Sequence, residues 1–213
     1  MELNRFIEFT NLGMSLDSSD IDSLVSEALA LECLGVCVPP YWVKRASREI
    51  DNHPLQLVTV VGYPLGYQMT ASKIFETTKA LEDGANEIDV VLNATAFRTD
   101  VNWVKIELSK LSRLVHEHEG ILKVILETDL WNPSQLKILL KICVDAGVDF
   151  AKTSTGYHRN PVSPDLISFL RSNLPLNVGI KASGGIRTKD QAQALIDAGA
   201  DRLGTSSAKQ ILV

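Results

Sequence analysis

Short runs of apolar residues alternate along this chain with longer stretches in which apolar residues recur every three or four positions. The short runs predict β-strands, and the longer stretches predict amphipathic helices. Eight strands are predicted, at residues 6–10, 35–38, 57–61, 87–93, 122–127, 150–154, 178–183 and 202–206. Helices are predicted between them, at residues 19–34, 70–83, 102–117, 134–146, 164–173 and 189–198. Such alternation is typical of a parallel sheet whose strands are connected by helices.

A weak internal repeat supports this architecture. Residues 80–89, 142–150 and 195–203 each combine the end of a helix, a glycine and the start of a strand. Eight such strands predict an α/β protein with a closed barrel, so we expect a single domain, a (β/α)8 TIM barrel, over residues 1–213. The alternative is an open doubly wound sheet, which would carry a phosphate-binding turn after its first strand. Residues 11–14, Asn-Leu-Gly-Met, contain no such turn.

Composition narrows the class of protein further. The 213 residues carry a net charge of −5, which argues against a nucleic-acid partner or a membrane-surface partner. The N-terminus lacks a signal-peptide core and no apolar run approaches the length of a membrane helix, so we expect a cytoplasmic protein. The three cysteines and four histidines show no spacing typical of a disulfide framework or a metal site. We therefore expect no bound metal.

Two lysines, Lys152 and Lys181, lie inside predicted strands. Burying an ammonium without a partner is costly, so a lysine placed there either extends to water, pairs with a carboxylate, or is used in chemistry. If the two strands are neighbours and both side chains point inward, each ammonium disfavours the charge on the other and lowers its pKa. A neutral lysine can attack a carbonyl carbon to form a Schiff base. The pair is therefore a candidate for Schiff-base catalysis.

Asp89 and Lys123 add two more ionisable side chains within apolar strands. Because TIM-barrel active sites lie at the carboxyl ends of the strands, we expect these two residues to converge with Lys152 and Lys181 at one mouth. A perturbed cluster of this kind is a candidate functional site. The alternative is an internal salt-bridge network that only fills the barrel.

The loops after the last two predicted strands combine glycines with hydroxyl side chains. Their sequences are Ser-Gly-Gly-Ile-Arg-Thr at residues 183–188 and Gly-Thr-Ser-Ser at residues 204–207. Glycines let backbone N–H groups approach an anion, hydroxyls donate hydrogen bonds, and barrels commonly hold a phosphate between these two loops. The pair of loops predicts a phosphate site, although either loop alone would more often be an ordinary turn.

With these motifs the sequence resembles deoxyribose-phosphate aldolases, a family of class I (Schiff-base) aldolases. The resemblance covers nearly the whole chain and includes Gly-Tyr-Pro-Leu-Gly at residues 62–66 and Val-Cys-Val-Pro at residues 36–39. Its most specific motifs are Lys-Thr-Ser-Thr-Gly at 152–156, Lys-Ala-Ser-Gly-Gly-Ile-Arg-Thr at 181–188, Gly-Thr-Ser-Ser at 204–207, Glu-Ile-Asp-Val-Val at 87–91 and Lys-Val-Ile-Leu-Glu-Thr at 123–128.

The resemblance implies a role for each site residue. Lys152 would be the Schiff-base nucleophile, Lys181 the neighbouring cation that tunes it, and Asp89 a partner in proton transfer through water. Lys123 and Thr10 would belong to a supporting hydrogen-bond network. The substrate phosphate would be bound by Gly156, Gly184, Gly185, Arg187, Gly204, Ser206 and Ser207.

The resemblance also implies a reaction, the reversible cleavage of 2-deoxy-D-ribose 5-phosphate to acetaldehyde and D-glyceraldehyde 3-phosphate. The donor enamine would form on the lysine, without a metal or another cofactor. The partner would be this small phosphorylated sugar. Because members of the family often assemble, a homo-oligomer is expected, with a dimer as the first candidate.

Three positions depart from the family pattern. The family usually has aspartate where this chain has Glu8, asparagine where it has Pro39, and cysteine where it has Asp129. The extra methylene of Glu8 moves its carboxylate by about a bond length, which matters in a site that depends on exact placement. Two alternatives therefore stay open: a Schiff-base aldolase for a different phosphorylated sugar, and a barrel that binds a sugar phosphate without turning it over.

Overall fold

The computed structural model describes residues 2–157 and 160–213. These residues form a closed barrel of eight parallel strands in sequence order, and the first strand pairs with the last through Ile7 and Leu203. The strands are β1 (Ile7–Thr10), β2 (Gly35–Val38), β3 (Gln56–Val61), β4 (Glu87–Val91), β5 (Ile121–Ile125), β6 (Phe150–Lys152), β7 (Gly179–Ser183) and β8 (Arg202–Thr205). The predicted single-domain TIM barrel is confirmed.

Helices follow the strands and cover the outside of the barrel. In the described part of the chain they are α1 (Ser18–Ala30), α2 (Val43–Ile50), α3 (Thr70–Glu82), α4 (Ala94–Thr99), α5 (Val101–Glu117), α6 (Pro133–Asp145), α7 (Pro164–Asn173), α8 (Lys189–Asp197) and α9 (Ala208–Leu212). All six predicted helices are present. The three that were not predicted, α2, α4 and α9, have eight residues or fewer, which is too short for a clear helical period.

Three strands end two residues before their predicted last residues, at Val91, Ile125 and Lys152 instead of 93, 127 and 154, and β8 ends one residue early, at Thr205. In the first three strands, the predicted last residue has a polar side chain that makes a different contact or a backbone that leaves the strand conformation. Asn93 caps α4, and its side-chain oxygen accepts a hydrogen bond from Ala96 N at 2.9 Å. Glu127 takes a left-handed backbone conformation, with φ 51°, that no strand continues through. Ser154 donates its hydroxyl to the carbonyl of Ser183 at 2.7 Å.

Because side chains alternate along the strands, the strands contribute to two buried regions, one between the barrel and the helices and one inside the barrel. Outward-facing apolar residues such as Ile88, Val124 and Ile180 are fully buried against the helices. The inward-facing residues of β2 and β3 form a smaller apolar cluster around Val58. The inner face of β4 to β7 carries five ionisable residues, so this side of the barrel interior is charged whereas the side of β2 and β3 is apolar: Glu87, Asp89, Lys123, Lys152 and Lys181. Among the described residues, no helix is both long enough and apolar enough to cross a membrane.

Candidate active site

The register of the strands brings the four predicted ionisable residues together. Asp89 on β4 is paired with Lys123 on β5, and Lys152 on β6 is paired with Lys181 on β7. Because the strands are consecutive and parallel, the four side chains point into the same quarter of the barrel. All four residues are buried, and Lys152 is the most accessible of them at 3% exposure.

Asp89 is the centre of this cluster. Its Oδ2 accepts from Lys152 Nζ at 2.8 Å and from Lys181 Nζ at 2.6 Å, and its Oδ1 accepts from Lys123 Nζ at 3.0 Å. Burial opposes the charge of this carboxylate, but the three ammonium groups outweigh burial and hold the pKa of Asp89 well below its ordinary value. Asp89 therefore stays ionised, and its Oδ2 is in direct contact with Lys152.

A second carboxylate fixes the charge of Lys181. Glu8 on β1 makes a close ion pair with Lys181 Nζ through Oε2, and its Oε1 lies 3.2 Å from Arg202 Nη1. Burial would lower the pKa of Lys181, but Asp89 and Glu8 together raise it above its ordinary value. Burial likewise opposes the ionisation of Glu8, and Lys123 and Lys181 outweigh it, so the pKa of Glu8 is lowered. Lys181 is thus held as a permanent cation.

Two members of the network, Glu87 and Arg202, were not among the predicted site residues. Glu87 pairs closely with both Lys123 and Arg202. Arg202 also lies over the ring of Phe150, with its guanidinium carbon 4.6 Å from the ring centroid. The signal for Glu87 was available, because it shares the inner face of β4 with Asp89. Arg202 begins its strand, where the inward direction of a side chain cannot be read from alternation alone.

The network has one basic side chain more than it has carboxylates. The described interior holds three carboxylates and four basic side chains, namely Glu8, Glu87 and Asp89, with Lys123, Lys152, Lys181 and Arg202. An uncompensated charge in a buried site is costly. Three cations match the three carboxylates, and the fourth basic side chain has no carboxylate of the network to balance it.

A cavity of about 360 Å³ opens at the carboxyl ends of the strands, directly above the network. Lys152 lines this cavity, whereas Asp89, Lys123 and Lys181 lie beneath it. Nine of the predicted site residues form its lining: Thr10, Lys152, Gly156, Gly184, Gly185, Arg187, Gly204, Ser206 and Ser207. Of the three clustered lysines, Lys152 is therefore the one that a carbonyl compound in the cavity can reach.

Thr10 takes a different place from the predicted supporting network. Its hydroxyl donates to the carbonyl of Glu8 in its own strand, at 3.0 Å, and its residue lines the cavity. Lys123, by contrast, lies within the network and contacts all three carboxylates. The placement of Thr10 makes it a wall residue of the cavity, while Lys123 supports Asp89 from below.

Two glycines of the predicted phosphate loops have a packing reason as well. Gly185 has a φ of 70°, and a Cβ there would lie 2.9 Å from Pro161 Cβ. Gly204 is paired with Ser183 on β7, and a Cβ there would approach Lys181 Cε to 3.0 Å. Substitution at either glycine would therefore disturb the backbone or the lysine cluster, whether or not a phosphate binds nearby.

The three departures from the family pattern lie in different surroundings. Glu8 contacts Lys181, and Lys181 and Lys152 both bind Oδ2 of Asp89. Pro39 lines a neighbouring cavity and Asp129 lines another, and neither lines the cavity that contains Lys152. Within residues 2–157 and 160–213, no three His, Cys, Asp or Glu side chains are grouped so that they could hold a metal ion. Glu8 is thus the departure with a direct connection to the lysines.

A parallel barrel with a buried lysine cluster beneath an open cavity is an arrangement suited to Schiff-base chemistry. A family model described as "DeoC/LacD family aldolase" matches residues 7–211. The chain therefore belongs to this aldolase family.

Relatives and solved structures agree with this assignment. The deoxyribose-phosphate aldolase of Brevibacillus brevis is 38% identical over 213 residues, which cover 100% of this chain and 96% of the relative. That of Caldicellulosiruptor saccharolyticus is 40% identical, with coverage of 99% and 97%. The structure of "QR15, an Aldolase" superimposes with a TM-score of 0.94 at 36% identity, covering 99% of this chain and 94% of the other. The deoxyribose phosphate aldolase of Aeropyrum pernix, described as tetrameric, gives a TM-score of 0.93 at 34% identity, with coverage of 99% and 89%.

Proposed function

We propose that this chain is a deoxyribose-phosphate aldolase, which reversibly cleaves 2-deoxy-D-ribose 5-phosphate to D-glyceraldehyde 3-phosphate and acetaldehyde through a lysine Schiff base. The observation that carries the proposal is the position of Lys152, at the floor of the cavity and in contact with a carboxylate that stays ionised. The names of the full-length relatives support the choice of substrate.

The nucleophile in this proposal is Lys152. Its neutral amine attacks the aldehyde carbon, C1, of the open-chain sugar, and loss of water gives an iminium at C1. As the C3 hydroxyl loses its proton to water, the C2–C3 bond breaks and its electrons pass to the iminium. Cleavage of that bond releases glyceraldehyde 3-phosphate and leaves the enamine of acetaldehyde on the nitrogen. Protonation of the enamine and hydrolysis then return the free lysine. Arginine could not replace Lys152, because its guanidinium stays protonated.

Lys181 and Asp89 control the proton of Lys152. Lys181 is held positive by two carboxylates, so its charge opposes a second ammonium on the same oxygen of Asp89. Asp89 Oδ2, 2.8 Å from Lys152 Nζ, stays ionised and would act as a partner in proton transfer through water. Lys123 binds the other oxygen of Asp89 and keeps the carboxylate oriented toward Lys152.

The phosphate of the substrate would bind to the loop residues of the same cavity. Gly184, Gly185, Ser206 and Ser207 line it together with Arg187. Their backbone N–H groups, hydroxyls and guanidinium are all donors suited to an anion. A phosphorylated aldehyde could therefore be held with its carbonyl at the lysine and its phosphate among these donors.

The test is a cleavage assay with a panel of sugars. Purified protein is incubated with deoxyribose 5-phosphate, unphosphorylated deoxyribose, ribose 5-phosphate and fructose 1,6-bisphosphate, and the release of each aldehyde product is measured. The proposal expects the highest kcat/KM on deoxyribose 5-phosphate and no turnover by Lys152→Arg. A preference for another sugar would mean that deoxyribose 5-phosphate is not the substrate. Absence of turnover on every sugar would contradict the proposed enzymatic activity.

We also propose that the protein acts in the cytoplasm as a homo-oligomer, with a dimer as the first candidate. Phe75 on α3 and Trp103 and Ile106 on α5 support an interface, since these apolar side chains are exposed on two helices that pack together. Light scattering after size exclusion should give a mass above that of one chain. A monomer at micromolar concentration would contradict the assembly.

A further inference from the structure

We propose that Glu127 is a positioning residue that holds Thr155 and, through it, the part of the cavity wall that binds the substrate phosphate. The inference deepens the proposed function, since it concerns how the same cavity recognises a phosphorylated substrate. Glu127 does not line the cavity and therefore acts through Thr155, which does.

The backbone of Glu127 is unusual for a residue with a side chain. Its φ is 51° and its ψ is 66°, in the left-handed region that most residues avoid. Main-chain hydrogen bonds fix both of its neighbours: Leu126 N donates to Lys152 O at 2.9 Å, and Thr128 N donates to Thr153 O at 3.0 Å. The chain is thus anchored to β6 on either side of Glu127, and the left-handed turn between the two anchors is stabilised by them.

The side chain of Glu127 is buried, with 5% of the residue exposed, and it binds Thr155 twice. Its Oε2 accepts from Thr155 Oγ1 at 2.5 Å and from Thr155 N at 3.2 Å. Hydrogen bonds to a carboxylate are stronger than those between neutral groups. Thr155 therefore has both of its donors engaged by one buried side chain.

Two further hydrogen bonds also hold Thr155 in place. Its carbonyl accepts from the hydroxyl of Tyr63 at 2.8 Å, and its Oγ1 accepts from Tyr157 N at 3.2 Å. Gly156 lies between Thr155 and Tyr157, and among the described residues a Cβ placed on it would meet no atom within 4 Å. Gly156 thus borders open space on that side, between two residues that are held by these hydrogen bonds.

The location of this segment separates its role from that of Lys152. Residues 155–157 line the cavity, whereas Lys152 is fixed within β6 by its pairing with Lys181 and by its contact with Asp89. Loosening Thr155 should therefore impair the binding of the phosphate end more than the reaction at the lysine. If the role of Glu127 were purely structural, its loss would instead impair phosphate binding and the reaction at the lysine equally.

The experiment compares Glu127→Gln, Thr155→Val and the double variant. Glutamine keeps the size of the side chain but removes its charge, and valine removes the hydroxyl while keeping the shape. Thr153→Val is a matched control, because Thr153 lies in the same segment and its hydroxyl binds Ser183 O at 2.8 Å without contacting Glu127. Thr155→Ser keeps the hydroxyl and should restore wild-type behaviour. Circular dichroism and thermal unfolding verify that each variant is folded.

Two readouts are measured for each variant, the kinetic constants on phosphorylated and unphosphorylated deoxyribose, and the Kd for inorganic phosphate by calorimetry. For Glu127→Gln and Thr155→Val we expect KM for deoxyribose 5-phosphate and Kd for phosphate to rise about tenfold, as for loss of one charge-assisted hydrogen bond. On unphosphorylated deoxyribose, kcat/KM should change less than threefold. The double variant should be no worse than either single variant, because both substitutions act on the contact between Glu127 and Thr155.

Additive losses in the double variant, an unchanged KM and Kd, or equal losses on both sugars would overturn the inference. The phosphate titration keeps the test independent of the proposed reaction. If the wild-type protein binds phosphate but cleaves no deoxyribose 5-phosphate, the proposed function fails, and the tenfold change in Kd still decides the role of Glu127. If the wild-type protein does not bind phosphate at all, the inference fails with it.

Discussion

Replacement of Lys181 by methionine tests whether a neighbouring cation keeps Lys152 ready to react. Methionine fills a similar volume without a charge. In the wild-type protein both lysine nitrogens bind Asp89 Oδ2, at 2.8 Å for Lys152 and 2.6 Å for Lys181. After the replacement, Lys152 would be the cation that balances Asp89, and its proton would be retained. We therefore expect the reaction of Lys181→Met to require a higher pH.

The size of the shift follows from the geometry. Two donors on one carboxylate oxygen lie about 4 to 5 Å apart, and two unit charges at that distance repel by about 3 to 4 kcal/mol at an effective dielectric constant of about 20. Since one pH unit corresponds to about 1.4 kcal/mol, the midpoint of the reaction should rise by about two to three units. At neutral pH this predicts a rate about a hundredfold to a thousandfold lower.

The assay is the rate of covalent trapping with acetaldehyde and cyanoborohydride between pH 5 and 10, followed by mass spectrometry of the intact protein. Lys73→Met is the matched control. Lys73 is also fully buried and ion-paired, with its Nζ 2.6 Å from Glu107 Oε1, but it lies among the helices outside the barrel. Its replacement should lower stability, as removal of one partner of a buried pair does, by about 3 to 5 kcal/mol, and leave the pH midpoint unchanged. A midpoint for Lys181→Met within half a unit of wild type would refute the argument.

Three further predictions concern stability, the cavity wall and the phosphate. Folding lowers the pKa of Glu8 and Asp89 from ordinary values of 4.5 and 3.8. Their contribution to stability is therefore present above those values and is lost as the pH falls through the lowered pKa values. In urea unfolding, the free energy of unfolding of Glu8→Gln should fall less between pH 6 and pH 4 than that of the wild type. Tyr63→Phe removes the bond to the Thr155 carbonyl, which should cost about 1 kcal/mol and lower Tm by about 2 to 4 °C in calorimetry. Ser206→Ala should raise KM about tenfold or more for deoxyribose 5-phosphate and leave unphosphorylated deoxyribose unaffected; equal changes on both would place the phosphate elsewhere.

The fold could be predicted from the sequence because each strand is a short run of apolar residues and each of the longer helices has its own apolar face. All eight strands were found this way, and the elements that were missed are short. The inward placement of Asp89 and Lys123 also followed from alternation within a strand. Strand neighbours in a parallel barrel are fixed by chain order, so the convergence of the lysines could be expected before their distances were known.

The rest of the site depends on contacts between residues far apart in the chain. No local pattern shows that Lys152 reaches the cavity while Lys181 lies beneath it, because the difference arises from where each strand ends relative to the barrel mouth. The restriction on Gly185 comes from Pro161, and that on Gly204 from the side chain of Lys181. Side-chain reach and packing across the barrel decided these features, and a sequence does not display them.

The lysine that forms the Schiff base can be identified by trapping it. The protein is incubated with deoxyribose 5-phosphate, reduced with borohydride, digested and analysed by peptide mass spectrometry. We expect a single adduct, on the peptide that contains Lys152, and no adduct in Lys152→Arg. An adduct on Lys123 or Lys181, or one that persists in Lys152→Arg, would contradict this assignment.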